Sequence, residues 1–135
     1  MDLNIRGRKA VITGGSKGIG RAVADRLASE GVDVHLVART PATLEGAVSE
    51  LRNDYGINAS FSALDLSDSA NIDRLFSDCS DPIDILVNNA GAIPGGSMDL
   101  VVEDTWREAW DLKVFGYINM CRLAYARMRD VGQGV

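Results

Sequence analysis

The sequence predicts an α/β fold, a doubly wound parallel sheet with helices on both faces. Three observations carry this expectation. Short apolar runs such as Ala10-Val11-Ile12 and Ile85-Leu86-Val87 alternate with longer stretches of helical periodicity, the connections between them are short, and both of those runs end in turns of small or amide residues. Alternation of this kind implies parallel strands joined by right-handed crossovers.

Taken in order, Lys9–Thr13 is the first strand. Ile19–Glu30 follows as a helix, with Ile19, Val23 and Leu27 at four-residue spacing and Gly31 as its stop. Asp33–Ala38 is the second strand. Pro41 opens the next helix, whose Leu44, Val48 and Leu51 face inward before Tyr55-Gly56 ends it. Ala59–Leu64 is the third strand, and Ser67 is the expected N-cap of a helix carrying Ile72, Leu75 and Phe76. Pro82 precedes the fourth strand, Ile83–Val87. A glycine-proline loop, Ala92–Gly96, then leads to the longest helix, Val102–Asp130. No repeat or low-complexity segment interrupts the pattern.

With 135 residues, 46% of them hydrophobic and 24% charged, the chain has apolar material for one core, and a single domain over 1–135 is expected. The net charge of −5, with no basic tract, argues against a nucleic-acid surface. Cys79 and Cys121 are far apart and lack metal-ligand spacing, and the single histidine, His35, falls in a strand-like run where it reads as buried; no metal site is expected. Both thiols read as reduced. With no apolar leader at Met1–Arg6 and no run of membrane-spanning length, the expected location is the cytoplasm, with no membrane partner.

The most informative segment is Thr13-Gly14-Gly15-Ser16-Lys17-Gly18-Ile19-Gly20. Here a buried strand turns through glycines into a helix, as in a dinucleotide phosphate site. Glycines let the backbone approach a pyrophosphate, and the free N–H groups at the helix start face the anion. An ordinary glycine turn is the plain alternative. Against it, Asp84-Ile85-Leu86-Val87-Asn88-Asn89-Ala90-Gly91 brings a second apolar strand to a small, amide-rich end. Two such edges define one crevice.

These two segments resemble the motifs TGxxxGxG and NNAG of the short-chain dehydrogenase/reductase family, and the resemblance runs from Arg8 to the end of the chain. It implies a Rossmann-type sheet in the order 3-2-1-4 and a nicotinamide cofactor held by Gly14, Ser16, Lys17, Gly18, Ile19 and Gly20. It also implies that Asp65 and Leu66 contact the adenine, and that Asn89, Ala90 and Gly91 line the ribose and nicotinamide side. Asn88 is expected to tie neighbouring strands together rather than touch ligand. As a plain alternative, Asp65 is an acid stabilising the start of the next helix. The family's chemistry is hydride transfer between nicotinamide and a small-molecule carbonyl or alcohol, and its members' equivalent of the 102–130 helix packs against a second subunit. Homo-oligomerisation follows as an expectation, because Trp106, Trp110, Val114, Ile118 and Leu123 spread apolar surface widely around that helix. Complete packing within one chain is the alternative.

The choice of nucleotide turns on the end of the second strand. An NAD-binding chain commonly places Asp or Glu there for the ribose hydroxyls, whereas this one runs Val37-Ala38-Arg39-Thr40. Arg39 suits a 2′-phosphate and Lys17 adds a second cation, so NADP(H) is favoured over NAD(H) unless both are merely solvated charges.

Two departures from the family pattern stand out. The family's serine and its Tyr-x-x-x-Lys pair have no counterpart, since Ala59, Cys121 and Arg129 lie four residues after Tyr55, Tyr117 and Tyr125. The chain therefore reads as a sheet truncated after the fourth strand and its long helix: the cofactor-binding half of an oxidoreductase, inactive by itself. A non-catalytic nucleotide-binding or protein-interaction module is the alternative. Second, Lys113 occupies the slot where the family usually has asparagine. Either it is an ordinary solvated lysine, or its ammonium points into the active site, where burial or a like charge would suit it to acid–base catalysis.

Overall fold

The computed structural model describes residues 3–79 and 81–135. Four strands form one parallel sheet in the order β3-β2-β1-β4, as the sequence predicts. They are β1 (Lys9–Thr13), β2 (Asp33–Ala38), β3 (Ala59–Ala63) and β4 (Ile85–Val87). The helices are α1 (Gly18–Ser29), α2 (Pro41–Tyr55), α3 (Ser69–Asp78), α4 (Glu103–Trp110) and α5 (Tyr117–Val131). Together they make a Rossmann-like, doubly wound arrangement.

Alternation along the strands divides the core in two. Ala10, Ile12, Val34 and Leu36 pack against Ala24 and Ala28 of α1 and Leu44, Val48 and Leu51 of α2. Val11 and Val37 point the other way, to Ile72, Leu75 and Phe76 of α3 and Met120 and Ala124 of α5. A strand read with period two and covered on both faces requires this split. Arg127 of α5 reinforces the second layer, donating to the carbonyls of Phe76 and Cys79 at the end of α3 while its guanidinium lies 5.4 Å from the Phe76 ring centre. Such a cation suits the negative end of a helix dipole.

Two expectations about elements are corrected. The N-cap of α3 is Asp68, whose carboxylate accepts the Ala70 N–H at 2.9 Å; Ser67 instead turns back to Asp65. The single helix expected at Val102–Asp130 is interrupted by a π turn, Asp111–Gly116, between α4 and α5. Close approach explains the position of its last residue: a β-carbon on Gly116 would lie 3.0 Å from the Leu66 carbonyl oxygen, so the helix passes the β3 loop at a distance only glycine tolerates without displacement. The outer edge of β4 is not bare. Val135 donates its N–H to the Asp84 carbonyl at 2.9 Å and accepts the Leu86 N–H at 2.8 Å, the pattern of a parallel neighbour. Asp84 also anchors the other side, accepting the Lys9 N–H at 2.9 Å and pairing with Arg8 at 3.1 Å.

Candidate nucleotide cleft

The site is built at the carboxyl ends of the strands. After Thr13 the chain turns at Gly14 (φ 65°) and again at Gly18 (φ 59°), both in the left-handed region that disfavours a β-carbon. Gly14 donates its N–H to the Val37 carbonyl at 2.7 Å, holding the loop against the end of β2. α1 begins at Gly18 with no side-chain cap from Lys17, so its first-turn N–H groups have no intrahelical partner. Positive dipole and free donors therefore face the same space.

That space is a cleft of about 490 Å³, within the range of small-molecule sites. On one side of the glycine loop it is bounded by Ala38, Arg39 and Asp65, and on the other by Asn89, Ala90 and Gly91. All the residues expected to hold a cofactor line it, Ser16, Lys17, Ile19 and Leu66 included, except Gly20. Gly20 is buried behind the loop, where a β-carbon would lie 2.3 Å from the Gly14 carbonyl oxygen. Its part is to let α1 pack close to β1.

Thr13, which the sequence reading leaves without a role, organises the β4 end of the cleft. Its side chain is 1% exposed, and its Oγ1 accepts the N–H groups of Asn89 at 2.9 Å and Ala90 at 3.0 Å while donating toward the Val87 carbonyl at 3.4 Å. The only signal available beforehand was a threonine at a strand end directly before the glycines. Other lining residues that escaped notice, such as Thr40, Thr43, Leu64 and Leu112, carry no more signal than their place beside a strand end or in a helix.

The tie expected of Asn88 is made instead by Asn89, which also lines the cleft as expected. Asn89 is the tie, donating from Nδ2 to the carbonyls of Thr13 and Gly14, both at 3.2 Å. Asn88 turns the other way, its Nδ2 lying 3.1 Å from Cys121 Sγ of α5, while its buried Oδ1 has no hydrogen-bond partner among the described residues. Successive residues at a strand exit point to opposite faces, and it is the second amide that points at the β1 loop.

Charge is distributed unevenly along the cleft. Lys17 and Arg39 are exposed, and neither is in an ion pair among the described residues. Asp65 accepts the Ser67 N–H at 3.0 Å and the Ser67 hydroxyl at 2.7 Å. These bonds, aided by the charge of Arg39, hold its carboxyl below the usual carboxylate range. The Asp65 carboxylate thus supports the turn into α3 and at the same time lines the cleft.

Lys113 lies on the π turn with its side chain against Gly91; a β-carbon on Gly91 would be 3.1 Å from Lys113 Nζ. The ammonium is also 5.4 Å from the Tyr117 ring centre. It thus lies beside Gly91 at the β4 end of the cleft without itself lining it, and on an exposed side chain, so the burial invoked for acid–base work is not met. Among the described residues no His/Cys/Asp/Glu cluster is arranged to hold a metal, and no helix is long and apolar enough to cross a membrane.

Residues 8–135 match the family model described as short chain dehydrogenase. The chain is 36% identical over 133 residues to 2,3-dihydro-2,3-dihydroxybenzoate dehydrogenase of Bacillus subtilis, covering 96% of this chain and 51% of that protein. It is 31% identical over 133 residues to the NADP-dependent (R)-specific alcohol dehydrogenase of Lentilactobacillus kefiri, covering 96% and 52%. The crystal structure of L-sorbose reductase from Gluconobacter frateurii, complexed with NADPH and L-sorbose, superposes with a TM-score of 0.93 at 34% identity, covering 99% of this chain and 52% of that one. The chain thus spans about half the length of these relatives.

Proposed function

The chain belongs to the short chain dehydrogenase family, and from that premise we propose that it is the nucleotide-binding part of an NADP(H)-dependent oxidoreductase acting on a small carbonyl or alcohol. The observation that carries the nucleotide choice is the pair Lys17 and Arg39. Both border the cleft, both are free of ion pairs among the described residues, and Arg39 follows the last residue of β2, Ala38, where a carboxylate would repel a 2′-phosphate. NADPH in the L-sorbose reductase structure lends further support.

The fit of a dinucleotide to this chain rests on the cradle. Side chains at Gly14 and Gly18 are disfavoured by positive φ, and a β-carbon on Gly14 would also crowd Asn89 and Ala90, so this backbone is bare where an anion must approach it. Gly14 and Ser16–Ile19 hold the pyrophosphate, with the start of α1 supplying N–H donors. Asp65 and Leu66 bound the adenine side, and Thr13 fixes the backbone of Asn89 and Ala90 for the second nucleoside, which Gly91 also borders. Nicotinamide, when bound, supplies or takes up the hydride at its C4. A Tyr-x-x-x-Lys pair for the accompanying proton is not among these 135 residues, so the proposal for the chain by itself is binding without turnover. Self-association through the 102–130 region is part of the same reading.

Calorimetric titration of the chain and of Arg39→Ala with NADPH and NADH tests the nucleotide choice. NADPH is expected to bind more tightly, and loss of the guanidinium should cost it about 1.5–3 kcal/mol, the worth of a charged hydrogen bond, while leaving NADH nearly unchanged. Equal affinity of the unaltered chain for both nucleotides overturns the choice.

A further inference from the structure

Lys113 has a position with a direct electrostatic consequence. The cleft has two ends, one at Arg39 and Asp65 beside β2 and β3, the other at Asn89, Ala90 and Gly91 beyond β4, with the glycine loop between them. A dinucleotide whose 2′-phosphate lies at Arg39 and whose pyrophosphate lies over the loop must bring its second nucleoside to the β4 end. The Lys113 ammonium lies beside Gly91 at that end, just outside the residues that line the cleft.

Three features place an uncompensated cation there. The π turn, Asp111–Gly116, carries it on a helix that follows β4 and turns it back toward the β4 exit; π turns often mark functional positions. The Tyr117 ring, 5.4 Å from Nζ, attracts the ammonium through its face. No carboxylate neutralises it within ion-pair distance among the described residues.

The two redox forms of the nucleotide differ at this end alone. Oxidised nicotinamide is a ring cation, whereas reduced nicotinamide is neutral. A lysine here attracts the pyrophosphate equally in both forms but repels only the oxidised ring. Resting on the nucleotide reading above, we propose that Lys113 biases the cleft toward the reduced cofactor, favouring NADPH over NADP+ and hence the direction of carbonyl reduction.

The test is the ratio of dissociation constants, Kd for NADP+ over Kd for NADPH, measured by titrating the whole chain separately with each nucleotide. Removing one unit charge at close range in partly solvated surroundings should lower this ratio about three- to tenfold in Lys113→Met, and Lys113→Arg should restore it. The difference between the unaltered chain and Lys113→Met should also shrink as salt is raised. An unchanged ratio in Lys113→Met, or weakening of both forms by the same factor, overturns the proposal while leaving the nucleotide reading intact. Failure of the unaltered, folded chain to bind either form overturns the nucleotide reading itself, and this inference with it.

Discussion

Gly20 and Gly14 touch across the start of α1: a β-carbon on Gly20 would lie 2.3 Å from the Gly14 carbonyl oxygen and 2.5 Å from Asn89 Nδ2. One position therefore controls how closely the helix approaches the loop and whether the second asparagine keeps its bonds to Thr13 and Gly14. The carbonyl is backbone, and the Asn89 amide, though the end of a side chain, is held by those two bonds.

Gly20→Ala is accordingly expected to destabilise the fold by about 2–3 kcal/mol through overpacking against backbone, and to weaken nucleotide binding further by displacing the loop. Gly46 provides the contrast. It lies exposed in the interior of α2 with nothing near its missing β-carbon, so Gly46→Ala should stabilise by about 0.5–1 kcal/mol from helix propensity. Chemical denaturation of the two variants checks both signs. Similar small effects at the two positions would show that the helix and loop have room to part.

The fold was legible because buried parallel strands leave an unmistakable trace: β1 and β2 are found at their expected bounds, β3 within a residue, and the sheet order is the one expected. The β1 loop was legible for a related reason, since glycine is the residue that backbone conformation itself dictates. Roles decided by direction rather than identity were not. Asn88 and Asn89 are chemically identical, and only the twist of the strand exit decides which one faces Thr13. The π turn left no trace either, because one extra residue in a helical turn shifts the apolar ridge without breaking its periodicity. Gly116, Met120 and Ala124 still recur every four residues on the buried side.

His35 makes stability depend on pH. It is half-buried on β2 rather than fully buried as the sequence suggested, with Nδ1 2.8 Å from Ser60 Oγ and Nε2 2.9 Å from Ser62 Oγ on β3. Desolvation, and then the charge of Lys9, push its pKa below the ordinary value of 6.5. The folded state thus holds the proton less well than the unfolded chain. The stabilisation is complete above pH 6.5 and is lost as pH falls from there through the folded value. Denaturant melts of the chain and of His35→Gln between neutral and mildly acid pH should diverge in slope, the variant falling less. Parallel curves over that interval would remove His35 as the source.

The outer face of α4 and the π turn yields the last expectation. Trp110 is 56% exposed and Phe115 54%, and with Met98 and Trp106 they border an open hollow of about 780 Å³ rimmed by Glu103, Arg107 and Asp111. Aromatic side chains beside charges of both signs are the composition of an interface core with its rim. Because Val135 already pairs with β4 at Asp84 and Leu86, that edge offers less unpaired backbone than a bare strand, and the aromatic face becomes the stronger candidate for self-association. Light scattering across a dilution series should show a dimer that Trp110→Glu dissociates without lowering the melting temperature of the dilute protein. A monomer at high micromolar concentration would leave the aromatic face without a second copy to cover it. Large, ill-defined particles that persist in Trp110→Glu would point back to the sheet edge.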